Sequence, residues 1–308
     1  MEEVQSDTIR LLTIIVTYNA ENYIRRCLDS LRSSSIPTDC LIIDNGSSDS
    51  TASIIRSEYP EMEFLPQSVN LGFGRANNIG LRRAYEEHYD YALLLNQDAG
   101  IFPDTLQRLV GLARKHNQEG IFTPVHLNGA LDALDYGLGG YLGCQTLDKL
   151  QTKFAPKTYI NPEFVNAAIW LIPYKMITEI GGFDPMFYHY GEDLNWIKRL
   201  HHHHYSIYLD LEAMGYHDRF PSPDKFHNEV YGRKVYTLGK LLDPSCRLLP
   251  IFVRLNLILL SDMLKSLIHG HFKDLSAYLG ILVSCYSRLP MVIAHRRKNK
   301  RKQPSYID

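Results

Sequence analysis

The sequence lacks a disulfide framework: its five cysteines, Cys27, Cys40, Cys144, Cys246 and Cys285, are odd in number and none stands at CxxC spacing. They read as reduced, cytosolic thiols. It also lacks a charge excess, with 33 Lys+Arg against 34 Asp+Glu, so the whole chain has no bulk attraction for nucleic acid and any basic partner surface must be local. The opening stretch MEEVQSDTIR is acidic and polar, unlike a secretory signal. Long uncharged runs are missing too, for the stretch between Asp274 and Arg288 is well short of the ~20 residues a membrane-spanning helix needs. What is present is a chain of 308 residues, 45% hydrophobic, enough for one large core or two modest ones.

The first half alternates strand and helix signals. Leu11 to Val16 (LLTIIV) reads as a buried strand, and Ile24, Cys27, Leu28 and Leu31 recur at helical spacing after it. Leu41 to Ile43 begins a second strand stopping at Asp44, and NGSSDST supplies a turn and an N-cap for a helix carrying Ile54 and Ile55. Met62 to Leu65 suggests a third strand, and Tyr91 to Leu95 a fourth, which ends in Asn96-Gln97-Asp98. Repeated βα units imply an α/β fold with a mainly parallel sheet covered on both faces. Ligands of such sheets bind beyond the carboxyl ends of the strands, so Asn19, Asp44 and Asp98 should share one rim.

From Ile121 to Tyr159 the signals are weak, and the segment reads as an irregular or short-stranded insertion over the site. Asn166 to Ile172 is again a buried run, followed by a helix from Tyr174 to Ile180 closed by Gly181-Gly182. Beyond about Pro221 the character changes: Leu248 to Ile268 and Leu275 to Ile293 are helical and apolar, and the chain then reaches HRRKNKRK. Amphipathic helices lying on a membrane, with basic residues meeting anionic lipid, fit this composition. Packing on the domain or on a second subunit, with a solvated tail, is the alternative.

Five ordered blocks carry a family likeness. IIVTYNAENYIRRCLDSL, IIDNGSSDST, NLGFGRANNIGL, LLLNQDA and GGFDPMFYHYGEDLNW resemble the family 2 glycosyltransferases of GT-A fold, and among them bacterial rhamnosyltransferase-like enzymes. The likeness covers roughly residues 10 to 220, implying a catalytic domain over 1–220, with a donor half at about 10–120 and an acceptor half at about 121–220. Residues 221–308 form the helical region with its basic tail.

The resemblance implies roles. The family places a DxD-like motif at the fourth strand; here its first acid is Asn96, and Asp98 remains to hold Mg2+ or Mn2+ shared with the donor diphosphate. A turn acid is the alternative for Asp98, although Asp104 already suits that task. His217 stands where relatives carry a histidine near the metal; a lone structural histidine is the competing reading. Asp44 would accept the pyrimidine N3–H, with Thr17, Tyr18, Asn19 and Asn45 around base and ribose, unless DNGSSDS is only an Asx-rich turn. Asp49 suits a cap equally well. Arg75 and Asn77, in NLGFGRANNIG, would face the donor, Gly72 and Gly74 permitting close backbone approach. Asp193 matches the general base and Glu192 an acceptor-orienting acid, while adjacent acids at a helix start also complement its dipole. His201 to His204 read as a solvated turn.

The function implied is inverting transfer of one sugar from dTDP-rhamnose or a UDP-sugar to a lipid-linked or polysaccharide acceptor, at the inner face of the cell membrane. Neither a QxxRW motif nor spanning helices are visible, which favours single addition over processive polymerisation. A sugar nucleotidyltransferase would want a Gly-rich basic loop after the first strand, where TYNAEN stands. A non-catalytic glycan-binding scaffold is the other alternative, motivated by Asn96. Homo-oligomerisation stays open.

Overall fold

The computed structural model describes residues 9–219 and 229–307. Its first part alternates as expected: β1 (Leu11–Thr17), α1 (Ile24–Arg32), β2 (Asp39–Asp44), α2 (Thr51–Glu58), β3 (Glu63–Pro66), α3 (Phe73–Glu86) and β4 (Tyr91–Asn96). Period-two alternation divides β1 between two cores. Leu12 and Ile14 join Ala76, Leu81 and Ala84 of α3, whereas Leu11 and Ile15 join Ile24, Cys27 and Leu28 of α1. Fully burying each such side chain is worth about 1.5–3 kcal/mol. Gly80 sets the approach of α3, because a Cβ there would lie 2.6 Å from Ile14.

Next come β5 (Ala99–Ile101), α4 (Thr105–Lys115), β6 (Gly120–Leu127), α5 (Tyr136–Leu142), α6 (Leu147–Phe154), β7 (Tyr159–Ile160), β8 (Ile169–Pro173), α7 (Tyr174–Glu179), α8 (Glu192–His202) and β9 (Ser206–His217). The sheet order is β3-β2-β1-β4-β8-β6-β9-β5, with β7 beside β9. β3, β2, β1 and β4 are mutually parallel, and β6 is parallel to β9. β8 runs antiparallel to β4 and β6, while β5 and β7 run antiparallel to β9.

The irregular insertion expected at 121–159 is corrected. Its start is β6, wholly buried inside the sheet, and α5 and α6 follow. Pro124 hid the strand: the β6–β9 register shifts at Pro124/Val125, so a bulge accommodates the residue that cannot donate to the ladder.

Four helices complete the chain: α9 (Glu229–Leu242), α10 (Leu248–Ile268), α11 (Phe272–Ser287) and α12 (Leu289–Asn299). The single helix expected over 275–293 is two, bent by 64° where Pro290 opens α12. Among the described residues no single helix is long and apolar enough to cross a membrane. The boundary expected near residue 220 lies outside the described residues. The chain then returns to the first domain: Ile307 is buried in the same core as Ile14, and Gly182 N donates to the Ser305 carbonyl at 2.8 Å.

The basic tail is likewise corrected, since it is neither wholly solvated nor wholly free for lipid. Arg296 is buried and donates to the carbonyls of Leu241, Asp243 and Cys246, and Lys302 pairs with Glu179 at 2.7 Å. His295 Nδ1 meets Asp184 at 2.7 Å. Arg297, Lys298, Lys300 and Arg301 remain exposed.

Candidate active site

The strand ends are level: Thr17 pairs with Asp44, and Val16 with Asn96. β1 lies between β2 and β4, so successive connections leave it in opposite directions and open a crevice at their carboxyl ends. There a cleft of about 450 Å³ is lined by Tyr18, Asn45, Gly72, Phe73, Gln97 and Asp98, with Tyr188 and His189 opposite. A larger hollow of about 580 Å³, among Asp39, Glu61, Glu63 and Arg83, sits at the amino ends of β2 and β3. Ligands of parallel sheets bind at the other end, so the smaller cleft is the candidate.

Gln97 fixes Tyr18 by two bonds, accepting from its N–H at 2.7 Å and donating to its carbonyl at 3.3 Å. Asn19, at φ 51°, accepts from Ser48 N at 2.9 Å. Asp44 is buried and takes bonds from Thr17 Oγ1 at 2.8 Å, Ser47 Oγ at 2.5 Å and Ser47 N at 3.0 Å. The Asx turn therefore exists; Oδ2, with one of these bonds, keeps acceptor capacity. Asp49 acts as a cap, accepting from Thr51 N at 3.0 Å and Oγ1 at 2.6 Å. Asn45 accepts from Leu71 N at 3.3 Å, and Gly72, at φ 82°, brings the loop so close that any Cβ would collide with the Tyr188 carbonyl.

Thr17, Asn19 and Asp44 lie just behind the cleft lining, and Arg75 and Asn77 are also outside it. The exposed Arg75 guanidinium donates to the Pro185 carbonyl at 2.8 Å, and buried Asn77 donates to the Phe73 carbonyl of its own helix at 3.0 Å. The polar helix face that suggested donor contact is used to hold neighbouring backbone.

Asp98, its side chain 24% exposed, stands 3.4 Å from His217 Nε2. Pairing of β5 with β9 places Ala99 opposite His217 and so brings the two groups together. Burial opposes ionisation of Asp98, but the His217 ring outweighs it and the carboxyl lies below its ordinary value. His217 Nδ1 is 3.7 Å from Asp135, which Arg219 Nε holds at 3.0 Å. Asp135 also caps α5 through Gly137 N and Leu138 N. Asn166 Nδ2 lies 3.4 Å from the same Nδ1, and buried His126, pushed down to about 3 chiefly by burial, backs the ring as a neutral group. Among the described residues no three His, Cys, Asp or Glu side chains converge as a cation cage. Asp98 Oδ1 with His217 Nε2 suits a divalent ion that takes its other oxygens from a diphosphate.

Glu192 and Asp193 open α8 after Gly191, at φ 90°. Burial and then the charge of Asp193 push Glu192 up to about 8. Burial also raises Asp193, against the N–H groups of Leu194 and Ala167 and the charge of Arg219. Glu192 Oε2 and both amide atoms of Asn195 are buried without partners. The four histidines at 201–204 end α8 and form the turn after it; burial holds His201, His202 and His203 low, correcting the solvated turn.

Gln97, Asp135, Asn166 and Arg219 are the residues that sequence reasoning missed. An Asp before a glycine-rich stretch was a legible cap signal for Asp135. Nothing local marked the other three.

Residues 13–136 match the family model described as glycosyl transferase family 2. This segment, about two fifths of the chain, is similar to family 2 glycosyltransferases. An N-acetylglucosaminyl-diphospho-decaprenol L-rhamnosyltransferase of Mycobacterium tuberculosis is 24% identical over 214 residues, 62% of this chain and 70% of the relative. Among solved structures, S. aureus TarS 1-349 in complex with UDP-GlcNAc aligns at TM-score 0.57 and 14% identity, over 79% of this chain and 69% of that one. The chain spans 41% of the TarS chain in another crystal structure. GalNAc-T7 with UDP, GalNAc and Mn2+ aligns at TM-score 0.58 and 13% identity, over 77% of this chain and 48% of that one. The likeness to these structures gives the chain a GT-A fold.

Proposed function

We propose that the chain is an inverting glycosyltransferase moving one sugar from a nucleoside diphosphate donor, dTDP-rhamnose or a UDP-sugar, to a lipid-linked acceptor. The observation that carries this reading is the opposed tuning of two carboxylate sets that share Arg219. Asp98 and Asp135 are held below their ordinary values, and Asp193 above its own. Such divergence separates an ionised binding acid from a proton acceptor.

Thr17, Tyr18, Asn19, Asp44 and Asn45 form the base and ribose side. Asp98 and His217 would hold Mg2+ or Mn2+, which when bound neutralises charge on the diphosphate. Asp193 takes the acceptor hydroxyl proton as that oxygen bonds to the anomeric carbon and the bond from carbon to diphosphate oxygen breaks; Glu192 orients the acceptor. The lipid-linked class is supported by the decaprenol named for the relative, and by an outward apolar stripe on α10. Leu249, Val253, Leu257, Leu260, Leu264 and Ile268 follow helical spacing, and the end residues Leu249 and Ile268 are 74% and 70% exposed. This stripe would rest on the inner face of the cell membrane, with exposed tail cations near anionic lipid.

The test is release of nucleoside diphosphate with Mn2+ and an acceptor lipid. Asp193→Asn is expected to lower kcat by about 10²–10⁴ with nucleotide affinity unchanged. Turnover should rise with pH as Asp193 loses its proton. Unchanged turnover in the variant would remove Asp193 from the mechanism, and no release by the wild type would leave a binding scaffold.

A further inference from the structure

A second cavity, of about 260 Å³, lies between α9, α11 and α12, walled by Met186, Leu238, Leu241, Ile281, Cys285 and Val292. It is smaller than the roughly 300 Å³ at which sites begin to enclose whole small molecules, a size suited to one segment of a longer chain. Three features mark its lining. Gly280 lines it from mid-helix at the outer edge, with no atom within 4 Å of where a Cβ would stand, so a large side chain there has room to enter the mouth of the hollow. Thr237 also lines it, 1% exposed, with its hydroxyl buried and without a hydrogen-bond partner. Lys234 and Arg288, both exposed, complete the lining, one on α9 and one at the junction of α11 and α12.

An apolar hollow with two cations at its edge suits a hydrocarbon chain ending in phosphate. Its position suits an acceptor. Met186 in its wall is two residues from Tyr188 and three from His189, which line the donor cleft. Outside the hollow, Phe272, Leu279, Val283 and Tyr286 of α11 are exposed, continuing the apolar surface of α10.

We propose that this cavity seats the phosphate-proximal part of the isoprenoid chain of the acceptor lipid, with Lys234 and Arg288 on its phosphate oxygens; this rests on the lipid-linked acceptor reading above. Calorimetric titration of the full chain with farnesyl diphosphate, without divalent cation, tests it. Gly280→Phe, and separately Lys234→Ala with Arg288→Ala, should each weaken binding at least tenfold, while stabilisation by pyrimidine nucleotides with Mn2+ persists. Equal binding by the Gly280→Phe chain, competition by inorganic diphosphate as strong as by farnesyl diphosphate, or equal displacement by dioleoyl phosphatidylglycerol would each overturn it. Should Gly280→Phe not fold, alkylation of wild-type Cys285 by N-ethylmaleimide serves instead. Farnesyl diphosphate should slow it severalfold and leave Cys246 unaffected; an unprotected Cys285 overturns the proposal. A wild type that binds farnesyl diphosphate but no nucleotide would reject the glycosyltransferase reading and uphold the cavity. The converse would reject the cavity alone.

Discussion

Two leucine-rich segments meet opposite fates. In β4, Leu93, Leu94 and Leu95 are buried, divided between the cores on the two faces of the sheet. In α10, Leu249, Leu257, Leu260 and Leu264 point outward, while Leu255 and Leu259 point in. Hydrophobicity in β4 is used up by folding. In α10 half of it is left over, and apolar area left in water along one helical face is a surface in search of a partner. The two regions are nevertheless fastened together, and the largest expected effect comes from cutting that fastening.

Asp184, in GGFD, is fully buried and accepts from Tyr306 at 3.0 Å and Asn299 at 3.4 Å, with His295 at 2.7 Å. Asp184→Ala would leave these groups unpaired, and should cost about 3–5 kcal/mol in urea unfolding. Hydrogen exchange should rise first in α12. Burial opposes the Asp184 charge, but the His295 interaction prevails and holds it below its ordinary value. The folded value is the lower one, so this stability is present above the ordinary carboxylate range and lost as pH falls through the folded value. A loss below about 1 kcal/mol would mean that the fastening rests instead on apolar packing, the Lys302–Glu179 pair and the Gly182–Ser305 bond.

The comparison itself is tested by matched truncations. Leu94→Ala, at a site 1% exposed, should cost about 2–5 kcal/mol. Leu257→Ala, at a site 63% exposed, should lie within about 0.5 kcal/mol of wild type. Binding to anionic vesicles, read by co-sedimentation, should be lost in the reverse order: weakened severalfold by Leu257→Ala and unchanged by Leu94→Ala wherever that chain is folded. A stable self-associated species that Leu257→Ala dissociates would make a second copy, not a bilayer, the occupant of the stripe.

The donor half was legible because each signal was local. Buried runs alternating with helical periods gave β1 to β4, and acids at strand ends gave Asp44 and Asp98. Sequence reading failed where tertiary pairing overrode local chemistry. Pro124 disguised β6, since only its register with β9 reveals the bulge. Arg219 and Asn166 acquired their places through contacts with Asp135 and His217, far from them along the chain. Charge counting also misjudged the tail, because Arg296 and Arg297 are adjacent yet one is buried on backbone carbonyls and the other exposed. Composition tells how many cations there are, not which way each one faces.

The two regions also touch beside the candidate site. Val235 of α9 packs so near Gly191 that a Cβ there would lie 2.8 Å from it, and the next residue is Glu192, buried and pushed up to about 8. A carboxyl whose folded value exceeds its unfolded one binds its proton more tightly when folded, so its contribution is complete below the unfolded value and lost as pH rises through the folded one. The wild type should therefore lose stability between about pH 5 and 8, by a few kcal/mol at most, since neighbouring groups relax. Glu192→Gln keeps the shape and cannot ionise, so its urea midpoint should fall less over that interval than the wild type's, Asp193 supplying what descent remains, and should exceed it at pH 8. If α9 supplies the burial, Val235→Ala should let water reach Glu192 and make the descent shallower, ending it at lower pH as the carboxyl moves back toward its ordinary value. An unchanged descent would place the cause of the shift within the sheet domain alone, and with it the pairing of Glu192 and Asp193.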